Sequence, residues 1–111
     1  NLNNIRDIEN DSKMNKKTIP TRIGFKNAKF YHYCLIISSL LLIIIFSTKF
    51  KISNRLIFII LGTLPISFHL FKVNQAKIPI EFKPLLKQLA ISTFLFSIFM
   101  SIFLIYESIF F

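Results

Sequence analysis

The chain has 111 residues, 53% of them hydrophobic, and a formal net charge of +9. Its apolar residues form long uninterrupted blocks and its charges form separate clusters. That distribution is typical of a membrane protein, and it argues against a soluble domain or a basic nucleic-acid-binding protein. The single cysteine, Cys34, lies within an apolar block and has no second cysteine with which to form an internal disulfide.

The first element is a polar segment, residues 1–29, which contains seven of the fourteen Lys and Arg residues. Within it, Asp7 and Asp11 are four positions apart. On a helix this spacing places both carboxylates on one face, with about 6 Å between their Cβ atoms. Two carboxylates so close repel each other unless a cation lies near both. Mg²⁺ commonly combines one or two carboxylates with substrate phosphates, so the pair predicts a magnesium site.

Basic residues surround this acidic pair along the chain. They are Arg6, Lys13, Lys16, Lys17 and Arg22. Arg holds phosphate oxygens through two parallel hydrogen bonds, and Lys adds a point charge. The combination predicts a site for Mg²⁺ and a diphosphate, whose departure the cation and the basic groups stabilise. The alternative is a solvated acidic loop beside a membrane, because the same spacing is common on exposed helix faces.

Three runs without charged residues follow, and each predicts a transmembrane helix: residues 30–48, 56–71 and 88–106. A bilayer core about 30 Å thick requires roughly 20 helical residues. The second run has only sixteen residues, but Arg55 and Lys72 at its borders extend it by reaching toward the headgroups. Membrane β-strands alternate apolar and polar residues, which these runs do not. The predicted fold is therefore an all-α membrane protein with three transmembrane helices.

The connecting segments predict the orientation of these helices. Segment 1–29 and the loop 72–87 together hold eleven Lys and Arg residues, the loop 49–55 holds three, and the tail 107–111 holds none. Lys and Arg are in excess in cytoplasmic loops. We therefore expect 1–29 and 72–87 in the cytoplasm and 49–55 on the external side. Topology accounts for most of the positive charge, and no nucleic-acid partner is expected.

Some polar residues lie inside the predicted spans or near their ends. His32 and His69 are interpreted as interfacial anchors or packing residues, with metal binding or acid–base chemistry as the alternative. Thr93, Ser97 and Ser101 recur at every fourth position of the third span. Small residues at this spacing allow close helix packing in lipid, so the stripe predicts further partner helices.

The pattern in residues 3–24 resembles the second aspartate-rich motif of the UbiA superfamily of intramembrane prenyltransferases. The matching residues are Asn3, Asn4, Arg6, Asp7, Asp11, Lys16, Thr18, Ile19, Arg22 and Gly24. The double Asn followed by Arg6 and Asp7 favours the branch that prenylates 1,4-dihydroxy-2-naphthoate, and residues 84–87 resemble the family more weakly. Asn15 stands where that branch usually has Gly, and Asn tolerates a positive φ better than most residues.

The resemblance implies the C-terminal third of a nine-helix bundle in the bacterial cytoplasmic membrane, with the motif in a cytoplasmic loop. It implies Mg²⁺-dependent transfer of a polyprenyl group from an allylic polyprenyl diphosphate to 1,4-dihydroxy-2-naphthoate in menaquinone synthesis, with loss of CO₂. Asp7 and Asp11 would hold the metal, and Arg6 would act with them on the leaving diphosphate. The remaining diphosphate-binding residues that the resemblance implies are Asn3, Asn4, Lys13 and Lys17.

Two alternatives accompany this interpretation. One is a UbiA-type enzyme with a different aromatic acceptor. The other is a non-enzymatic membrane subunit of three helices, whose acidic loop is only solvated. Under the enzyme interpretation the chain is a fragment that lacks the first aspartate-rich motif and the N-terminal helices, and we do not expect it to be active alone.

Overall fold

The computed structural model describes residues 1–48 and 55–110. These residues form five α-helices and a short 3-10 helix: α1 Leu2–Arg6, α2 Ile8–Lys13, α3 Ile19–Ser47, α4 Arg55–Gln75, the 3-10 helix Pro79–Glu81 and α5 Phe82–Phe110. Within the described ranges there is no strand. The helices α3, α4 and α5 are each long and apolar enough to cross a membrane. The prediction of an all-α membrane protein with three spanning helices is confirmed.

The long helices extend beyond the charge-free runs that predicted them. α3 begins at Ile19, well before residue 30, and α5 begins at Phe82 instead of residue 88. A run defined by the absence of charge stops at the first Lys or Arg. Both residue types nevertheless favour helices, and their long side chains reach water while the backbone stays helical.

The connecting segments are correspondingly shorter than the sequence predicts. α4 ends at Gln75 and α5 starts at Phe82, so only residues 76–81 of the predicted loop 72–87 lie between them. α5 also continues to Phe110, through most of the predicted tail 107–111. The predicted external loop 49–55 lies outside the described residues, except for the backbone of its last residue at the start of α4.

Reciprocal capping defines the start of α3. The backbone N–H of Thr21 donates to Thr18 Oγ1 at 3.3 Å, and the backbone N–H of Thr18 donates to Thr21 Oγ1 at 2.8 Å. These bonds satisfy amides that have no partner within the helix. Further along, Gly24 has φ 80° and ψ 164°, which interrupts the regular helix after its first turn. This backbone conformation is essentially restricted to glycine.

A cluster of buried apolar side chains lies where α1 packs against the ends of the three long helices. Its members are Leu2, Ile5, Ala28, Val73, Ala76, Phe82 and Leu85. The ring of Phe25 packs edge-on against that of Phe82, with centroids 5.7 Å apart. Apolar burial therefore fixes the polar segment to one end of the helices.

Cross-helix hydrogen bonds hold the long helices together. Lys29 of α3 donates from Nζ to the carbonyl oxygens of Ala76 at 2.6 Å and Asn74 at 3.3 Å, at the C-terminal end of α4. Ser92 of α5 donates to the carbonyl oxygen of Pro65 in α4 at 3.2 Å. Each bond satisfies polar groups inside a largely apolar assembly.

Candidate functional site

The predicted acidic pair lies where α1 passes into α2. The backbone at Asp7 has φ −94° and ψ 9°, which separates the two short helices. The backbone N–H of Asp11 still donates to the carbonyl oxygen of Asp7 at 2.8 Å. The two aspartates therefore remain one turn apart, although they belong to two short helices and not to the single regular helix on which the sequence interpretation was based.

Arg6 binds both carboxylate oxygens of Asp7. The donor–acceptor distances are 2.7 Å from Nε to Oδ1 and 2.6 Å from Nη2 to Oδ2. Neighbouring residues on a regular helix point in different directions, so this contact depends on the irregular backbone at Asp7. The hydrogen bonds from Arg6 lower the pKa of Asp7, and they raise the pKa of Arg6. The carboxylate of Asp7 is thereby held in its ionised form. Its partner Arg6 is the residue that the resemblance implies as acting on the leaving diphosphate.

Asp11 is in a different environment, because only 2% of its surface is exposed. One oxygen, Oδ1, accepts a hydrogen bond from Lys16 Nζ at 3.2 Å. The other, Oδ2, is buried and has no hydrogen-bond partner among the described residues. A buried carboxylate oxygen without a partner is energetically costly. It is therefore the atom of the acidic pair that is best placed to accept a ligand.

A tight turn after α2 brings Lys16 back to Asp11. Asn15 has φ 54°, so it adopts a positive φ at the position where the resembling branch usually has glycine. The backbone N–H of Lys16 donates to the carbonyl oxygen of Asp11 at 2.8 Å, and that of Asn15 donates to Ser12 at 3.1 Å. This pair of bonds is the Schellman arrangement that commonly ends helices. The turn thus determines which basic side chain reaches the buried carboxylate.

An open groove of about 590 Å³ lies beside this turn. It is lined by Ser12, Asn15, Lys16, Lys17, Thr21 and Arg22. Three of the basic residues of the motif thus face a common space next to Asp11. Lys13 instead lines a separate depression with Glu9, Phe25 and Pro79. Of the motif amides, Asn3 is exposed on α1 and Asn4 is half-buried there.

The donor set bears on the magnesium prediction. Among the described residues there is no group of three or more His, Cys, Asp and Glu side chains that could hold a metal ion. Asp11 offers a free oxygen, whereas both oxygens of Asp7 are bound to Arg6. Two carboxylates fit a Mg²⁺ ion that takes its other ligands from phosphate and water. They do not fit an ion enclosed entirely by protein.

The structure also shows a contact that the sequence interpretation missed. Nε2 of His32 lies 3.1 Å from Nε2 of His69, and both residues are buried. The two residues are 37 positions apart in the chain, on α3 and α4, so no local spacing indicated that they meet. Both rings are thus packed between α3 and α4.

The chain has three apolar helices long enough to span a membrane and a polar end that carries acidic and basic residues. These features are those of an integral membrane protein. The chain is 30% identical over 102 residues to the 1,4-dihydroxy-2-naphthoate octaprenyltransferase of Haemophilus influenzae. The aligned region covers 92% of this chain and 33% of that relative. The chain is also 43% identical over 47 residues to the enzyme of the same name from Escherichia coli. That aligned region covers 42% of this chain and 15% of the relative. No family model and no solved structure matches the chain.

The resemblance predicted from residues 3–24 is therefore confirmed. The chain is similar to two proteins named as 1,4-dihydroxy-2-naphthoate octaprenyltransferases, over part of their length. It spans about a third of the length of the Haemophilus influenzae relative.

Proposed function

We propose that this chain forms part of a UbiA-type membrane enzyme that transfers a polyprenyl group from an allylic polyprenyl diphosphate to 1,4-dihydroxy-2-naphthoate. The observation that carries the proposal is the 30% identity to a naphthoate octaprenyltransferase over 92% of the chain. Further helices and the first aspartate-rich motif of the proposed enzyme would come from outside these residues. The relatives' names support the polyprenyl class, and the proposal does not extend to the number of isoprene units.

Asp7 and Asp11 are proposed to hold Mg²⁺ together with the diphosphate. The ion would neutralise the phosphate oxygens and stabilise the departing diphosphate. Asp11 contributes the buried oxygen Oδ2, which has no partner among the described residues. Asp7 becomes available when Arg6 exchanges the carboxylate for a phosphate oxygen. The guanidinium binds both anions with the same paired hydrogen bonds, so this exchange keeps its donors satisfied.

The basic groove is proposed to receive the charge of the leaving group. Lys16, Lys17 and Arg22 line it beside Asp11. Their positive charge opposes the charge that develops on the diphosphate as the carbon–oxygen bond breaks. Asn3 and Asn4 on α1, and Lys13 at the end of α2, are proposed as additional contacts to the diphosphate.

The membrane arrangement supports the same proposal. The helices α3, α4 and α5 expose large apolar side chains along their lengths, an environment suited to an isoprenoid chain. The excess of Lys and Arg in segment 1–29 and in the predicted loop 72–87 favours a cytoplasmic location for the motif. We propose that the protein resides in the bacterial cytoplasmic membrane.

The decisive test uses the longer protein that contains this chain, purified in detergent. It is incubated with a polyprenyl diphosphate and either 1,4-dihydroxy-2-naphthoate or 4-hydroxybenzoate, with Mg²⁺ or with a chelator, and the products are separated by chromatography. We expect a prenylated naphthoate product that requires Mg²⁺.

Prenylation of the hydroxybenzoate alone would instead establish the alternative acceptor class. If a correctly inserted protein prenylates neither compound, the alternative of a non-enzymatic membrane subunit is correct. Product formation that persists after complete chelation would contradict the proposed metal.

A further inference from the structure

A hydrogen-bonded histidine pair lies inside the helical bundle, away from the acidic pair. His32 of α3 and His69 of α4 are 4% and 0% exposed, and their Nε2 atoms are 3.1 Å apart. Nδ1 of His69 is buried without a hydrogen-bond partner among the described residues. Gln88 of α5 lies close to the His69 ring. The proposed diphosphate site does not use any of these groups.

The chemistry of imidazole limits what this pair can be. A neutral ring has one nitrogen that donates and one that accepts, so a contact between two Nε2 atoms fixes opposite tautomers in the two rings. Each ring then has Nδ1 left for a second hydrogen bond. His32 makes no second hydrogen bond with the described residues. Nδ1 of His32, unlike Nδ1 of His69, is not among the buried atoms without a partner in the described part of the chain, so it is open to a ligand.

His32 also lines a groove of about 370 Å³ between the long helices. This volume is within the range of small-molecule sites. Most of the lining is apolar and includes Leu35, Ile36, Leu40 and Ile43 of α3 and Leu89 and Phe96 of α5. The hydroxyl groups of Ser39 and Thr93 also line the groove, but they donate to carbonyl oxygens of their own helices. The other polar residues of the lining are His32 and Asn1.

These two polar residues lie at the end of the groove nearest the acidic pair. Asn1 precedes α1, which carries the motif, and its side chain donates to the carbonyl oxygen of Ala28, one turn before His32. Ile43 lies further along α3, roughly 16 Å away at 1.5 Å per residue. The groove thus has a polar end beside the motif and an apolar remainder. A purely apolar occupant would leave Nδ1 of His32 without a hydrogen-bond partner.

We propose that His32 hydrogen-bonds a ring hydroxyl group of the aromatic acceptor, and that His69 is the positioning residue that fixes the orientation and tautomer of His32. This inference rests on the proposed function and adds an acceptor-binding residue to it. The hydroxylated ring occupies the polar end of the groove, next to the segment that binds the diphosphate. Recognition by one hydrogen bond changes no covalent step of the transfer.

The test compares wild type with His32→Phe in the longer protein. It measures KM for the dihydroxynaphthoate acceptor and for the polyprenyl diphosphate, and the inhibition constants of two naphthoates that each lack one hydroxyl group. We expect the acceptor KM to rise about tenfold, because one buried hydrogen bond is lost. We expect the diphosphate KM to stay within twofold. The wild-type preference for the dihydroxy ring over one of the two analogues should disappear in the variant.

Two further variants separate recognition from stability. Tyr33→Phe removes a 3.3 Å hydrogen bond to the carbonyl oxygen of Leu70, between the same two helices, and Tyr33 does not line the groove. It should leave the acceptor KM unchanged. His32→Gln keeps a donor and an acceptor, so it should restore part of the hydroxyl preference, even if His32→Phe fails to insert.

The outcomes distinguish this inference from the proposed function. If wild type prenylates the naphthoate and the His32 variants keep its KM and hydroxyl preference, the inference is overturned while the proposed function stands. An equal rise in KM for both substrates would also overturn it, because that result indicates a general packing defect. If wild type prenylates no aromatic acceptor, the proposed function itself fails.

Discussion

Residues 1–18 and the long helices α3, α4 and α5 differ in what holds them in place. α1 and α2 have five and six residues, which is too short for stable helices in isolation. They are kept in place by the burial of Leu2 and Ile5, by the turn at Asn15 and by ion pairs. The polar segment therefore depends on contacts with the rest of the chain.

The long helices are stabilised mainly by hydrogen bonds within each helix. α3 and α5 have 29 residues each, and most of their large apolar side chains are exposed. The hydroxyl groups of Thr93, Ser97 and Ser101 donate to carbonyl oxygens of their own helix. Such helices can stand in lipid before they find partners. The comparison shows that the acidic and basic residues of the candidate site lie mostly on residues 1–18, the segment that depends on contacts with the rest of the chain. The partner helices predicted from the hydroxyl stripe stay a prediction.

The largest expected effect is on the prenyl-transfer rate, and it comes from the acidic pair Asp7 and Asp11 in the polar segment. Asp11→Asn and Asp7→Asn should each lower the prenyl-transfer rate of the longer protein by a factor of about 10²–10³, because each removes a carboxylate proposed to hold the Mg²⁺ ion that stabilises the leaving diphosphate. Steady-state assays with saturating substrates would measure this loss.

Glu9→Gln is the matched control. Glu9 is an exposed acid on α2, the helix that carries Asp11, and it has no role in the proposed site. The variant should change the rate less than twofold. Equal losses in all three variants would show that the rate responds to net charge and not to a defined carboxylate pair.

The second prediction breaks the contact between the two regions. Phe82 is fully buried where α5 meets α1, and Phe82→Ala should lower the free energy of unfolding by about 3–5 kcal/mol. Phe94 is on the same helix but is 66% exposed, so Phe94→Ala should cost less than about 0.5 kcal/mol. Unfolding of the purified protein in detergent measures both values. Equal costs would mean that α1 does not dock on α5 as described.

The third prediction tests backbone strain at the break inside α3, near the end of that helix that follows residues 1–18. No atom lies within 4 Å of a Cβ placed on Gly24, so the cost of Gly24→Ala comes entirely from its φ of +80°. We expect about 1–3 kcal/mol of lost stability. Asn15→Gly is the control, because glycine adopts a positive φ at least as easily as Asn and should be nearly neutral. A neutral Gly24→Ala variant would contradict the described break in α3.

The smallest effect is the pH dependence of the pair of Arg6 and Asp7. The hydrogen bonds from Arg6 lower the pKa of Asp7 in the folded chain. The pair therefore stabilises the fold above the usual Asp pKa of about 3.9, and this contribution is lost as the pH falls through the lowered pKa. Because the pair is solvent-accessible, the difference in unfolding midpoint between wild type and Asp7→Asn should be small. It should shrink further in acid, and a difference that grows in acid would refute the assignment.

The sequence predicts the long helices well because apolar runs in a bilayer have no alternative to a helix. The positive φ at Asn15 agrees with the glycine that the resembling branch usually has there, because the conformational requirement of a turn is local. The break at Asp7 and its pairing with Arg6 were not predicted, because they depend on how α1 packs. The contact of His32 with His69 was beyond prediction for the same reason. Neither histidine has a local pattern that reports its partner on another helix.

The ammonium group of Lys29 has a consequence for the order of assembly. Its two acceptors, the carbonyl oxygens of Asn74 and Ala76, are synthesised 45 and 47 residues after Lys29. Until then the charge must stay hydrated at the surface of the membrane. When α4 arrives, its orphan terminal carbonyl oxygens and this cation satisfy each other. The bond therefore cannot form until the end of α4 has been synthesised. Its removal should delay their association without changing how either helix enters the bilayer.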